Sequence, residues 1–166
     1  MKWITHQTAA VTLGVALHMP LAGLAALCGG AILPDVLDQR MARLAVTRGG
    51  RQRLFNAVHR GTTHWFGWWL TLCAVAFSGA GVNGSVKDVC LGLGLGGLSH
   101  VLLDMLTPSG VPLGPLRRRP ALSLKICATG SLGELCLLVA MVAAAWLFLR
   151  EDVLELARMF SRAAMF

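Results

Sequence analysis

Long apolar stretches alternate along this chain with short polar connections. Residues 7–33 are apolar but interrupted by His18-Met19-Pro20 and again by Gly23. A proline inside a helix removes a backbone hydrogen bond and clashes with the preceding turn. Each half is about 11–13 residues, roughly 16–20 Å at helical rise, too short for about 30 Å of hydrocarbon. The stretch therefore predicts one kinked span or a helical hairpin that enters and leaves on one side. Residues 36–64 form a polar, basic connection with a turn pair at Gly49-Gly50. Residues 65–82 predict a span, opened by Trp65, Trp68 and Trp69, whose indoles suit a membrane interface. Val82-Asn83-Gly84-Ser85 predicts a tight turn, and residues 86–106 the next span. Gly92, Gly94, Gly96 and Gly97 in that span let neighbouring helices approach closely; their spacing is not a dinucleotide fingerprint. Pro108, Gly110, Pro112, Gly114 and Pro115 break the helix. Residues 131–149 predict the last span. Residues 151–164 predict an amphipathic interfacial helix, with Val153, Leu156, Ala157, Phe160 and Ala164 along one face.

The pattern predicts an all-α, polytopic membrane helical bundle: three full spans, an N-terminal re-entrant helical hairpin and a C-terminal interfacial helix, in a single domain over residues 1–166. Composition agrees. The chain is 55% hydrophobic and only 14% charged, against about 25% charged in a soluble domain. No signal peptide is expected, because the start lacks a basic n-region and a cleavage site. Cys28, Cys73, Cys90, Cys127 and Cys136 are scattered, odd in number and without a CxxC pair, so neither a disulfide framework nor a thiolate zinc site follows. They read as small buried hydrophobes.

The net charge of +7 changes the picture through its placement. Arg40, Arg43, Arg48, Arg51, Arg53 and Arg60 share one connection; Arg117, Arg118, Arg119 and Lys125 share another. No aromatic residues interleave with them as a single-strand binder would need, so no nucleic-acid partner is expected. Basic loops lie on the cytoplasmic side of a membrane and attract anionic lipid headgroups. Span 65–82 then leaves the cytoplasm, 86–106 returns and 131–149 leaves again.

Against this apolar background the remaining polar residues stand out. His100 and Asp104, four apart, share one face of a helix. A lone Asp in a span costs about 2.5–3.5 kcal/mol on the mild insertion scale. A His–Asp hydrogen bond pinning two helices is one account; a pair of metal ligands is the other. His59-Arg60-Gly61-Thr62-Thr63-His64 lies where the basic connection meets the next span. Thr62 or Thr63 could cap that helix, but a cap leaves the two histidines unexplained. Asp35 and Asp38 follow Leu33-Pro34 and could be plain ion pairs with the basic loop. Glu134 lies one turn into the last span, where the helix dipole welcomes an anion. His18 reads as a turn residue. Asp35, Asp38, His59, His64, His100, Asp104 and Glu134 all map to the cytoplasmic end of the spans. His6 joins them only if residues 7–33 form a hairpin, so convergence of the site predicts the hairpin.

A site of His and carboxylate ligands without Cys suits zinc, with manganese the alternative. Eight candidate ligands (His6, Asp35, Asp38, His59, His64, His100, Asp104 and Glu134) exceed one tetrahedral ion, so one or two ions are expected. Such ions activate water and polarise a phosphoryl oxygen, and Arg60 would neutralise charge on that group. Arg60, Asp35 and His64 form the expected catalytic set.

Ile32-Leu33-Pro34-Asp35, His59-Arg60-Gly61-Thr62-Thr63-His64 and the run from Leu98-Ser99-His100 through Asp104 and Leu106-Thr107-Pro108 to Gly110-Val111-Pro112 occur in this order. Together they resemble the YdjM family of bacterial inner-membrane proteins, over most of the chain from Thr5-His6 to Glu134. The resemblance implies a metal-dependent hydrolase, with His6, Asp35, His59, Arg60, His64, His100 and Asp104 at the family's polar motif positions. The family pattern has its two acids two apart, whereas Asp38 follows Asp35 by three. The ordered His and Asp motifs also look distantly like zinc-dependent phospholipase C and P1-type nucleases, which implies phosphoester hydrolysis. The expectation is a multi-pass inner-membrane hydrolase acting on a membrane lipid or lipid-linked phosphate substrate from the cytoplasmic side. The alternative is a metal-binding or ion-coupled small transporter, since broken hairpins and intramembrane acids are also transporter features.

Overall fold

The computed structural model describes residues 1–45, 47–78, 84–115 and 121–163. Among them are eight α-helices: α1 (Trp3–Ala16), α2 (Leu21–Gly30), α3 (Leu33–Ala42), α4 (Arg48–Val58), α5 (Phe66–Ser78), α6 (Gly84–Met105), α7 (Leu132–Phe148) and α8 (Arg150–Ala163). A 3-10 turn covers Thr62–His64. Val82 and Asn83 of the expected tight turn, the cluster Arg117, Arg118 and Arg119, and Ala164 lie outside the described residues.

The break at Pro20 separates α1 from α2, and the two helices fold back on one another. Gln7 Nε2 donates to the Cys28 carbonyl (2.8 Å), Ala10 packs on Leu27 and Ala31, and Gly14 lies against Leu24. Rising positions on α1 thus meet falling positions on α2, an antiparallel hairpin. His18, in the break, takes the left-handed conformation (φ 47°). The predicted helical hairpin is therefore present as geometry, and it returns His6 to the end of the molecule where α2 stops.

Around α6 the packing is closest, against α2 on one side and α5 on the other. A β-carbon built at Gly92, Gly96 or Gly30 would collide with the facing backbone at Gly23, Leu27 and Leu93 respectively. At Gly97 it would collide with the Trp69 ring. The glycine-rich stretch is thus a contact surface, as expected. Trp69 is a correction: it is buried against α6 with its indole donating to the Thr63 carbonyl (3.0 Å), not placed at an interface. Trp68 does remain exposed.

Residues 36–64 also differ from expectation. Most of this connection is helical, as α3 and α4. Pro34 in the first turn of α3 forfeits no helical bond. Thr47 caps α4 by accepting from Gly50 N (3.0 Å), so Gly49-Gly50 is that helix's first turn and not a loop turn. The all-α expectation meets one exception, a two-stranded antiparallel ribbon pairing Val111 with Leu122 and Pro112 with Ala121.

Among the described residues, α6 alone is long and apolar enough to cross a membrane; the count rises to three if the bent pairs α2–α3 (46°) and Leu132–Phe148 with Arg150–Arg158 (88°) are each one span. α5 is apolar but has only 13 residues. The sharp turn after α7 sets α8 aside from it, and Val153 of α8 faces an apolar groove shared with α1 and α7.

Candidate metal centre

Four elements deliver the polar residues to one end of the helical core. α1 contributes His6; α3 contributes Asp35 and Asp38; the segment after α4 contributes His59, Arg60 and His64; α6 contributes His100 and Asp104. His6, Asp38, His64 and His100 are fully buried, and Asp104 is nearly so. His59 is the most exposed of the cluster, with 27% of its side chain open.

The hydrogen bonds fix how the imidazoles point. His100 Nδ1 donates to the Ala31 carbonyl (2.6 Å), which leaves an unprotonated Nε2. Thr63 Oγ1 donates to Asp38 Oδ1 (2.6 Å), so it accepts from His64 Nδ1 (3.0 Å). His64 Nε2 is then also unprotonated. These two lone pairs face each other at 3.2 Å. Asp35 Oδ1 stands 3.5 Å from His64 Nε2 and 3.8 Å from His100 Nε2. Asp104 Oδ2 stands 3.7 and 3.9 Å from the same two atoms. Asp104 Oδ2 is paired with Arg60, but the two imidazole lone pairs and Asp35 Oδ1 converge without protons between them and repel unless a cation sits among them. Two donors each about 2.0–2.1 Å from one tetrahedral ion stand about 3.3 Å apart. The observed separations bracket that value, so the donor set fits a metal ion.

His6 supplies a second indication. Its ring stacks on His100 (centroids 3.9 Å apart, 13° between planes). Neither of its nitrogens has a hydrogen-bond partner, nor does Asp35 Oδ1. Buried polar atoms without partners are rare, and a bound ion is one way to satisfy them. The ligand atoms fall into three overlapping groups among the described residues: His6 with His100 and Asp104, Asp35 with His64 and His100, and Asp38 with His59 and His64. The third differs in character. Asp38 Oδ2 accepts from the Arg60 backbone (3.0 Å) and faces His59 Nδ1 (3.3 Å), while Oδ1 holds Thr63. Asp38 thereby orients His64 through Thr63 and shapes the loop, the support that metal-binding histidines commonly have.

Arg60 lies inside this loop in the left-handed region (φ 57°), a conformation that costs a non-glycine residue about 1–2 kcal/mol. Its backbone bond to Asp38 offsets that cost. Its side chain is buried, with Nε on Asp104 Oδ2 (3.0 Å) and Nη1 donating to Thr107 Oγ1 (2.6 Å). The Met1 nitrogen donates to Asp104 Oδ1 (2.6 Å). Neither threonine was expected to serve this way: Thr63 holds Asp38 and is not the cap of α5, and Thr107 anchors Arg60. Their presence inside the two motif segments was the available signal. Trp3 Nε1, donating to Asp35 Oδ2 (3.1 Å), carried none.

Glu134 stands outside the three groups. Its carboxylate accepts from Lys2 N (2.6 Å), Thr5 Oγ1 (2.8 Å) and Gly130 N, and its own N–H is capped by Ser131 Oγ (3.3 Å). One buried side chain thus ties the start of α1 to the start of α7. Next to it, burial pushes the Cys127 thiol above its ordinary range, and the Glu134 charge adds to this. Cys127 stays a neutral packing residue.

A helical membrane protein with a buried histidine and carboxylate centre is the class this architecture defines. The family description "YdjM inner membrane protein" matches residues 1–165. The chain belongs to the YdjM family of inner membrane proteins. No curated protein and no solved structure matches it.

Proposed function

We propose that the chain is a membrane-bound, metal-dependent hydrolase that cleaves a phosphoester in a lipid or lipid-linked substrate. The observation that carries the reading is the convergence of His64 Nε2, His100 Nε2, Asp35 Oδ1 and Asp104 Oδ2 in a buried cluster, with His6 beside them, its nitrogens making no hydrogen bond and its Nε2 3.6 Å from Asp104 Oδ1. These residues would hold one divalent ion, zinc or manganese. His100 offers only one nitrogen, because Ala31 engages the other, so a second ion would draw on donors other than His100. When bound, the ion supplies Lewis acidity toward a phosphoryl oxygen and acidifies water.

The chain's own groups do the rest. Asp38 and Thr63 hold His64 in one tautomer. Asp104 and Thr107 fix the Arg60 guanidinium, leaving Nη2 with no described partner and available to neutralise phosphoryl charge. His59, paired with Asp38 through Nδ1, forms the solvent-exposed rim of the cluster. The basic connections favour the cytoplasmic side, which supports a centre at the cytoplasmic face, within reach of headgroups.

The test is elemental analysis of the purified protein, joined to phosphate release from phosphatidic acid vesicles. At least about one transition metal per chain, lost in His64→Ala together with activity, is expected. Less metal than that, unchanged by the substitution, would sink the reading. Metal-dependent flux across vesicles without cleavage would favour the transporter alternative.

A further inference from the structure

α3 and α4 run antiparallel: His59, just after α4, meets Asp35 and Asp38 near the start of α3. The opposite end of the pair therefore points away from the metal centre. There, Gln39 and Arg43 from α3 and Arg48, Arg51, Gln52 and Phe55 from α4 line a groove of about 350 Å³. Three arginines line this one space, and among the described residues no Asp or Glu pairs with them. Arg48 and Arg51, three apart on one helix, repel each other. The 11-residue helix α4 also starts at this groove, and a helix start favours an anion. Orienting the chain in a membrane requires basic residues in the loop. It does not require arginines gathered from two helices around a shared cavity.

We propose that this groove is a phosphate-binding subsite, distinct from the metal centre. Arginine's planar fork matches two phosphate oxygens at once, which a lysine cannot do. The amide side chain of Gln39 adds hydrogen-bonding capacity, and Phe55 supplies an apolar wall. Beside the groove Leu44 is 81% exposed and Met41 is exposed too. Apolar side chains at the tip of a basic hairpin suit contact with acyl chains, so a lipid headgroup is the source this surface favours; free phosphate has the same chemistry.

The experiment uses the full chain, delipidated in detergent and kept in chelator, so that its outcome does not depend on the metal reading. Native mass spectrometry counts bound phosphatidic acid, phosphatidylcholine or inorganic phosphate. Selective retention of phosphatidic acid supports a headgroup site, and retention of inorganic phosphate without lipid preference supports a soluble source. The double variant Arg48→Lys/Arg51→Lys keeps the charge and the membrane orientation but removes the forks. It should bind about tenfold more weakly or worse, the loss of one charge-assisted hydrogen bond. Arg43→Gln should weaken binding in the same direction. Equal binding by the lysine variant, or no retention of either phosphate-bearing probe by the wild type, overturns the proposal.

Discussion

Replacing Gly96 by alanine puts a methyl group where α6 touches α2. Its β-carbon would overlap the Leu27 carbonyl oxygen and come within 2.8 Å of Ala31 N and 3.0 Å of the Gly30 carbonyl carbon. All three are backbone atoms, so no side chain can swing away and the helices must part. Overpacking of this kind costs about 1–3 kcal/mol. Alanine returns about 0.5–1 kcal/mol through its better helix propensity. From the middle of each range, the net expectation is a loss of roughly 1 kcal/mol. Gly29 on α2 is the control: a β-carbon there meets nothing within 4 Å, so Gly29→Ala should be neutral or stabilise by up to about 1 kcal/mol. Unfolding in detergent, followed by far-ultraviolet circular dichroism, compares the two. The displacement would also move the Ala31 carbonyl that fixes His100, so metal content should fall in Gly96→Ala alone. A Gly96→Ala protein as stable as the wild type would refute the close-packing account of α2 and α6.

Glu134→Gln replaces a buried, charged acceptor that holds α1 to α7, and hydrogen bonds to charged groups are worth about 1.5–3 kcal/mol each; a lowered unfolding midpoint is expected, and an unchanged one would show that the carboxylate is not the tie. Thr107→Val removes the acceptor of Arg60 Nη1 and should cost about 1–3 kcal/mol while reducing phosphate release; unchanged stability and activity would show that Arg60 needs no anchor. Metal at a hundred times its dissociation constant should add about 2.7 kcal/mol of stability, so chelation should lower the melting temperature, and a melting curve indifferent to chelator would argue against an ion in the buried cluster.

Much of this arrangement was legible in the sequence because chemistry that is out of place in an apolar chain is easy to see. Pro20 marked the hairpin break, and the HRGTTH and SHVLLD segments named residues that do converge. Glu134 was grouped with them because it shares their membrane end, yet end and contact are different things: its three acceptor bonds go to the starts of α1 and α7. The connection 36–64 looked like loop because its arginines hide a helical pattern, and α4 depends on a threonine cap. Trp69 looked interfacial because indoles often are; only the bare Cα surface at Gly97 shows why this one is inside. Thr63 and Thr107 could not be assigned partners, because a hydroxyl's role is set by which acceptor the fold brings within about 2.7–2.8 Å.

The donors of the metal centre are spread along the chain from the first helix to the far end of α6. This has a consequence in time. While the chain is being synthesised, His6 emerges long before His100, and α1 can fold against α2 with its imidazole still alone. The cluster becomes complete only when α6 slots between α2 and α5 and carries His100 and Asp104 to the waiting residues. Metal capture by the proposed centre would then be a late event of maturation, one that reports the seating of α6 and closes a loop of nearly a hundred residues.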